Sequence, residues 1–333
     1  MKNVGIVGLP GAGSSTIFTA LTALPGAAPG KANQAVVPVP DPRVDTLGEL
    51  HHSKKLIYAT LRFVETSGQV RRGSRGAGGS LSAELLGHLR TSDALLFVAR
   101  GFGGANPQDE IDELTLELVY ADLEVVSAKI QRDAKTARDP DTKRIIEVME
   151  RAKAHLDAGT PLRDATWSDD EALAFQGMAL LTMKPSVVIA NVDESSQNAP
   201  GGTVSVVGAI EAEVAGMDDA DARELLEGYG VKERALPRVI RAIYEQLSLL
   251  TFLTAGDTES RAWEVHRGAT APQAAGVIHS DFERGFIKAD VIAFDDLVAA
   301  GSWQAARAAG KVRQEGKAYI VQEGDVVEFR FAV

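Results

Sequence analysis

Gly8-Leu9-Pro10-Gly11-Ala12-Gly13-Ser14-Ser15-Thr16 is the stretch on which the reading of this chain turns. It follows an apolar run, Val4–Val7, that reads as a buried strand, and it opens a helical pattern from about Ser15 to Ala23. A glycine-rich turn between strand and helix is the setting of a phosphate loop, G-x-x-x-x-G-K-[ST]. Glycines let backbone N–H groups turn inward around phosphate oxygens, and the helix start adds the positive end of its dipole. Gly8 and Gly13 keep the spacing, with Pro10, Gly11 and Ala12 between them, and Thr16 follows the motif. Ser15 stands where the hydroxyl that ligands Mg²⁺ belongs. The lysine position is Ser14. That lysine supplies the charge that meets the β- and γ-phosphates, and a hydrogen bond to a charged group is worth roughly 1.5–3 kcal/mol. Binding can survive this loss; fast hydrolysis is not expected to. Taken alone, such a turn also fits a tight strand-to-helix connection with no ligand.

Outward from the loop, short aliphatic runs alternate with helical patterns, as βαβ units around a parallel sheet require. Leu61–Val64, Ala94–Ala99, Val187–Ala190 and Val204–Val207 read as further strands, continuous enough to be covered on both faces. From about Glu110 to Gly159 the texture changes. Leu116, Val119, Leu123, Val126 and Ile130 recur at steps of three and four, Asp139-Pro140-Asp141 interrupts them, and Ile145, Met149, Ala152 and Leu156 resume the pattern. Two antiparallel helices forming a projecting coiled-coil hairpin explain this; a helix pair lying flat on the sheet is the alternative. After Thr251, Arg261–Val265, Gly276–Ile278, Phe286–Val291, Ala318–Val321 and Val326–Phe331 read as short strands of a small α+β domain.

The chain has 333 residues, no cysteine and a formal net charge of −11. The missing cysteines exclude disulfides and thiolate zinc sites and fit a reducing compartment. The N-terminus carries no signal-peptide pattern and no apolar run approaches a membrane span, so a cytoplasmic protein without membrane attachment is expected. The acidic balance argues against a general polyanion binder, DNA included, while leaving room for local basic patches. Arg71, Arg72 and Arg75 form one candidate in a glycine-rich stretch; a solvated loop is the plainer reading. His51 and His52 beside Lys54 and Lys55 read as an exposed loop rather than a metal or acid–base cluster.

With these residues in view, the chain resembles the YchF/Obg-like ATPase family over essentially its whole length. The family loop G-L-P-N-V-G-K-S-T aligns with Gly8–Thr16, and V-V-P-V-P-D-P-R with Val36–Arg43. Glu117-Leu118-Val119-Tyr120-Ala121-Asp122-Leu123 sits where the family enters its helical hairpin, and Ile189-Ala190-Asn191-Val192-Asp193-Glu194 looks like its base-recognition strand. Arg261-Ala262-Trp263, the run Ala271–Glu283 and Tyr319–Val326 resemble its TGS domain, a β-grasp module.

The resemblance implies an α/β P-loop NTPase sheet at 1–110 and 160–250, a coiled-coil hairpin at 111–159 and a TGS domain at 251–333. It implies preference for ATP over GTP, with Asn191, Val192 and Glu194 at the base in place of N-K-x-D, and association with the ribosome, its rRNA and proteins. It also makes three departures visible. The lysine is Ser14. The family's D-x-x-G is Glu65-Thr66-Ser67-Gly68, whose longer carboxylate shifts any Mg²⁺ held with Ser15. The first switch segment, around Pro29-Gly30-Lys31, is about six residues short of the family pattern and lacks its threonine. Two readings follow: a ribosome-associated protein that binds ATP or ADP weakly and has lost efficient turnover, or a slow ATPase switch. A metabolic enzyme on a Rossmann-type sheet is disfavoured.

Overall fold

A computed structural model of the chain describes residues 1–26, 32–66, 81–136, 138–194 and 199–332. The strands in the first part are β1 (Lys2–Gly8), β2 (Ala32–Pro38), β3 (Leu56–Ile57), β4 (Thr60–Thr66), β5 (Ala94–Gly101), β6 (Ser186–Val192) and β7 (Val204–Val206). The rest are β8 (Leu249–Ala255), β9 (Ser260–His266), β10 (Phe286–Ala293), β11 (Arg313–Glu315) and β12 (Asp325–Phe331). One sheet has the order β2-β4-β1-β5-β6-β7, the other β11-β10-β12-β8-β9-β3. By compactness the chain forms two units: Lys2–Val37 with Arg62–Ile243, and Met1 with Pro38–Leu61 and Tyr244–Val333. Pro38–Leu61 thus clusters with the C-terminal residues, although the sequence reading placed it with the nucleotide-binding part.

In the larger unit β1, β5, β6 and β7 pair in parallel. The aliphatic runs of β1 and β5 are buried throughout, as expected of strands covered on both faces, while Val188 of β6 and Val204 of β7 are half-buried. The helix Ser14–Thr22 leaves β1 through the glycine turn. Beyond β5, the helix Pro107–Ala134 turns into a second helix, Pro140–Asp157, whose first turn is capped by Asp139 accepting from the Thr142 N–H. The first helix packs in two directions. Leu114, Leu118 and Ala121 pack with Val7, Leu95 and Phe97 of the sheet, while Val119 and Val126 pack with Val148, Met149, Ala152 and Leu156 of the partner helix. Between Val126 and Val148 no described residue is buried. Leu116, read as part of the buried stripe, is exposed; a helix that serves two partners buries a wider, shifted face.

Asp122, within the hairpin-entry motif, is completely buried. Its carboxylate accepts the N–H groups of Leu181 (3.0 Å) and Thr182 (2.7 Å) and the Thr182 hydroxyl (2.8 Å), with Arg90 at 3.7 Å. Burial pushes the Asp122 carboxyl up, against the donors and the guanidinium that favour its charge. The motif therefore stitches the long helix to the segment that leads into β6.

In the smaller unit β8 and β9 form an antiparallel pair, β12 runs parallel to β8, and β10 is antiparallel to β12. The helix Ala271–Ile278 covers this sheet, sharing a core with Phe252, Val291 and Val327. Two segments expected as strands take other forms. Gly276–Ile278 ends that helix, which Thr270 and Gln273 start as a capping box with Pro272 in the first turn. Ala318–Val321 is not a strand; after a turn from Gly316 to Tyr319, only Ile320 makes a bridge, to Thr270. The Val36–Arg43 motif also finds its role. Asp41 caps the helix Pro42–His51, and Arg43 joins Asp41 (2.7 Å) to Glu323 (2.7 Å). Glu323 in turn accepts the Thr251 N–H at 2.9 Å, so two separately recognised motifs meet in one ion network. Among the described residues, no helix is long and apolar enough to cross a membrane.

Candidate nucleotide site

The loop begins where β1 ends at Gly8. The Ala12 N–H bonds back to the Leu9 carbonyl at 3.0 Å, closing a tight turn that leaves Pro10 and Gly11 exposed and Ala12 buried. Gly11 (φ 86°) and Gly13 (φ 89°) take left-handed conformations that side chains disfavour. Such residues form the concave backbone arrangement that binds anions. Gly13 is the N-cap of the helix Ser14–Thr22 and brings no side chain to it. The first-turn N–H groups of Ser14, Ser15 and Thr16 accordingly have no acceptor within the helix. The loop has the build of a phosphate cradle.

Ser14 brings a neutral hydroxyl, not a lysine's charge, to the loop. Its Oγ lies at the base of the turn, 2.6 Å from where a Cβ on Gly8 would stand, so only glycine fits at that point. Ser15 is exposed, and its hydroxyl donates to the carboxylate of Glu65, which is 2% accessible at the end of β4. A hydroxyl and a carboxylate side by side at the cradle suit a hard cation that keeps water and phosphate oxygens in its shell. Among the described residues no three His, Asp or Glu side chains gather to hold a metal. A Mg²⁺ ion delivered with a nucleotide would fit these residues, with Ser15 to hold it and Glu65 behind the serine. Lys31, Ser67, Gly68, Arg71, Arg72 and Arg75, the other residues considered for this region, lie outside the described residues.

Asn191, at the end of β6, is 4% accessible. Its Nδ2 donates to the Ala12 carbonyl at 2.9 Å, and its Oδ1 accepts the Gly208 N–H at 3.2 Å. The amide therefore ties the loop to the start of the helix Gly208–Val214, and it is a scaffold of the site whatever it offers a base. Val192 is buried in the sheet opposite Gly101, and Glu194 is exposed just after the strand. Gly208 escaped the sequence reading; a Cβ there would stand 2.5 Å from Asn191 Oδ1. Its only signal was a glycine directly after an apolar strand.

Known proteins are similar to this chain end to end. It is 41% identical over 360 residues to the ribosome-binding ATPase YchF of Haemophilus ducreyi, covering 99% of both chains. The chain belongs to the YchF family. The Bacillus subtilis YchF, also named a ribosome-binding ATPase, is 37% identical with 99% of each chain covered. Obg-like ATPase 1 of Oryza sativa is 34% identical over 99% of this chain and 92% of its own. The family model YchF-GTPase_C, described as "Protein of unknown function (DUF933)", matches residues 249–332. Among solved structures, the Schizosaccharomyces pombe YchF GTPase superposes with a TM-score of 0.83 at 29% identity, covering 99% of this chain and 97% of that one. A GTP binding protein of Pyrococcus horikoshii, at 18% identity and a TM-score of 0.54, shares the fold alone.

Proposed function

We propose that this YchF-family chain binds ATP or ADP weakly at the Gly8–Thr16 loop, associates with the ribosome, and has lost efficient hydrolysis. One observation carries the reading: the cradle built by Gly11, Gly13 and the uncapped helix start persists while the charged side chain is replaced by Ser14. The cradle and dipole attract phosphate, but no lysine stabilises the charge that develops on transfer. The division into a nucleotide-binding part (1–110 and 160–250), a hairpin (111–159) and a TGS domain (251–333) belongs to the same proposal, as does a cytoplasmic location. Adenine preference rests on Asn191, Val192 and Glu194 at the base side. The Ser15–Glu65 pair favours a second reading, slow ATP hydrolysis used as a ribosomal switch, because a route to Mg²⁺ is retained.

Phosphate release on wild type and Ser14→Lys separates the two. Wild type is expected to turn over at background, and the single substitution to recover little, since Glu65 and the short switch remain and groups that act as a unit are strongly non-additive. Brisk release by Ser14→Lys would make the other departures unimportant. Wild-type turnover stimulated by ribosomes would favour the switch.

An acidic chain approaches RNA against its own charge, so ribosome contact should be confined to basic surfaces. At the hairpin turn Lys135, Arg138 and Lys143 are exposed, with no buried residue beside them in the chain among the described residues, whereas Arg284 is paired with Asp281 and Lys288 is half-buried. Co-sedimentation with ribosomes should weaken as salt rises, because each neutralised phosphate releases counterions. Reversing Lys135, Arg138 and Lys143 together should weaken it more than reversing Arg284 and Lys288. A protein that stays in the supernatant at low salt, with and without nucleotide, refutes the ribosomal part.

A further inference from the structure

The helix Ser14–Thr22 ends in a sharp reversal. Ala23 takes φ 56° and returns its N–H to the Thr19 carbonyl, and the Leu24 N–H donates to Thr22 Oγ1 at 3.2 Å. The chain then runs back along its own helix until Gly26 lies against Ser15. A Cβ on Gly26 would stand 2.5 Å from Ser15 Cβ, 3.1 Å from its Cα and 3.2 Å from its carbonyl oxygen. Asn33 Nδ2 donates to the Pro25 carbonyl at 2.7 Å and pins the returning strap from the β2 side. On another side, the Ser15 hydroxyl donates to buried Glu65. An exposed serine in a first helical turn ordinarily samples several rotamers. This one has a backbone wall at its Cβ and a carboxylate acceptor at its hydroxyl.

We propose that Gly26 is a positioning residue for Mg²⁺-linked nucleotide binding. Lying against Ser15, it keeps the serine in the orientation in which the hydroxyl proton goes to Glu65 and the oxygen lone pairs remain for a cation. The proposal rests on the reading of Gly8–Thr16 as a nucleotide site. Gly26 needs no contact with the ligand in this role. With Ser14 uncharged, neutralisation of the phosphates leans on the cation that Ser15 serves, so a disturbed Ser15 should show in the metal linkage before it shows in bare affinity.

The readout is the ratio of ADP affinities in Mg²⁺ and in EDTA, measured by calorimetry on the full chain. Wild type should bind about tenfold more tightly with Mg²⁺, the scale of one charge-assisted contact. Gly26→Ala should bring the ratio to about two or less while affinity in EDTA stays within roughly threefold of wild type. Asn33→Ala, which frees the strap without crowding Ser15, should lower the ratio in the same direction, and it decides the matter if Gly26→Ala does not fold. Leu24→Ala, an exposed change on the same strap, should leave it unaltered. If both variants keep the wild-type ratio, or weaken binding equally in Mg²⁺ and EDTA, the positioning role is overturned. Wild-type binding that is indifferent to Mg²⁺ also overturns it and leaves the nucleotide site standing. Failure of wild type to bind ADP under either condition overturns both this role and the nucleotide reading.

Discussion

Asp122→Ala should destabilise the larger unit by about 3–5 kcal/mol, the range for stripping one partner from a buried charged network. The substitution leaves the Leu181 N–H, the Thr182 N–H and the Thr182 hydroxyl without their acceptor. All three belong to residues no more than 1% accessible, so water cannot replace the lost oxygen. The damage falls where the long helix meets the entry to β6, linking the hairpin to the sheet. Thermal unfolding followed by circular dichroism should show a midpoint lowered by roughly 10 °C. Asp122→Asn, which keeps one carbonyl oxygen but turns an amide donor toward other donors, should lose less. A melting curve for Asp122→Ala that overlays wild type would mean the segment Leu181–Thr182 finds other partners.

Gly13→Ala should remove detectable nucleotide binding. Two penalties coincide there. The residue sits at φ 89°, a conformation that costs a side-chain-bearing residue about 1–3 kcal/mol. The new Cβ would also collide with the Asn191 amide nitrogen, forcing it off the Ala12 carbonyl. An unmade buried hydrogen bond adds about 1–3 kcal/mol, so the loop is expected to shift rather than bear both. Gly11→Ala gives the comparison. It meets the same kind of strain at φ 86° but has nothing within 4 Å of its Cβ, and a loss of about tenfold is expected from strain alone. Calorimetry with ADP on the two variants ranks them; equal losses would show that the Asn191 contact is irrelevant to the loop.

Local chemistry was legible in the sequence. The aliphatic runs of β1, β5 and β6, the glycine turn and the Asp139-Pro140 break are each written in a few consecutive residues, and the structure follows them. What stayed hidden depends on partners far along the chain. Leu116 fits a helical period as well as Leu114 does, and only the arrangement of the sheet and second helix tells which one is buried. Gly276–Ile278 has strand-like residues, but the capping box at Thr270 and Gln273 commits the segment to a helix. At the candidate site, the glycine turn was plain from residue types. The double hydrogen bond of Asn191, which spans 179 positions to Ala12, was not. Nor was Gly26, whose meaning lies in a chain reversal that brings it back upon Ser15.

The glycine cradle is expected to bind nucleotide still, although Ser14 stands where the family loop has lysine. Titration of ATP, ADP and GTP into the wild-type chain, in Mg²⁺ buffer and followed by calorimetry, tests it most directly. Weak, saturable binding of ATP and ADP, with GTP weaker still, is the predicted result. No heat from any of the three at millimolar concentration (binding weaker than about −4 kcal/mol), or tight binding selective for GTP, would contradict it.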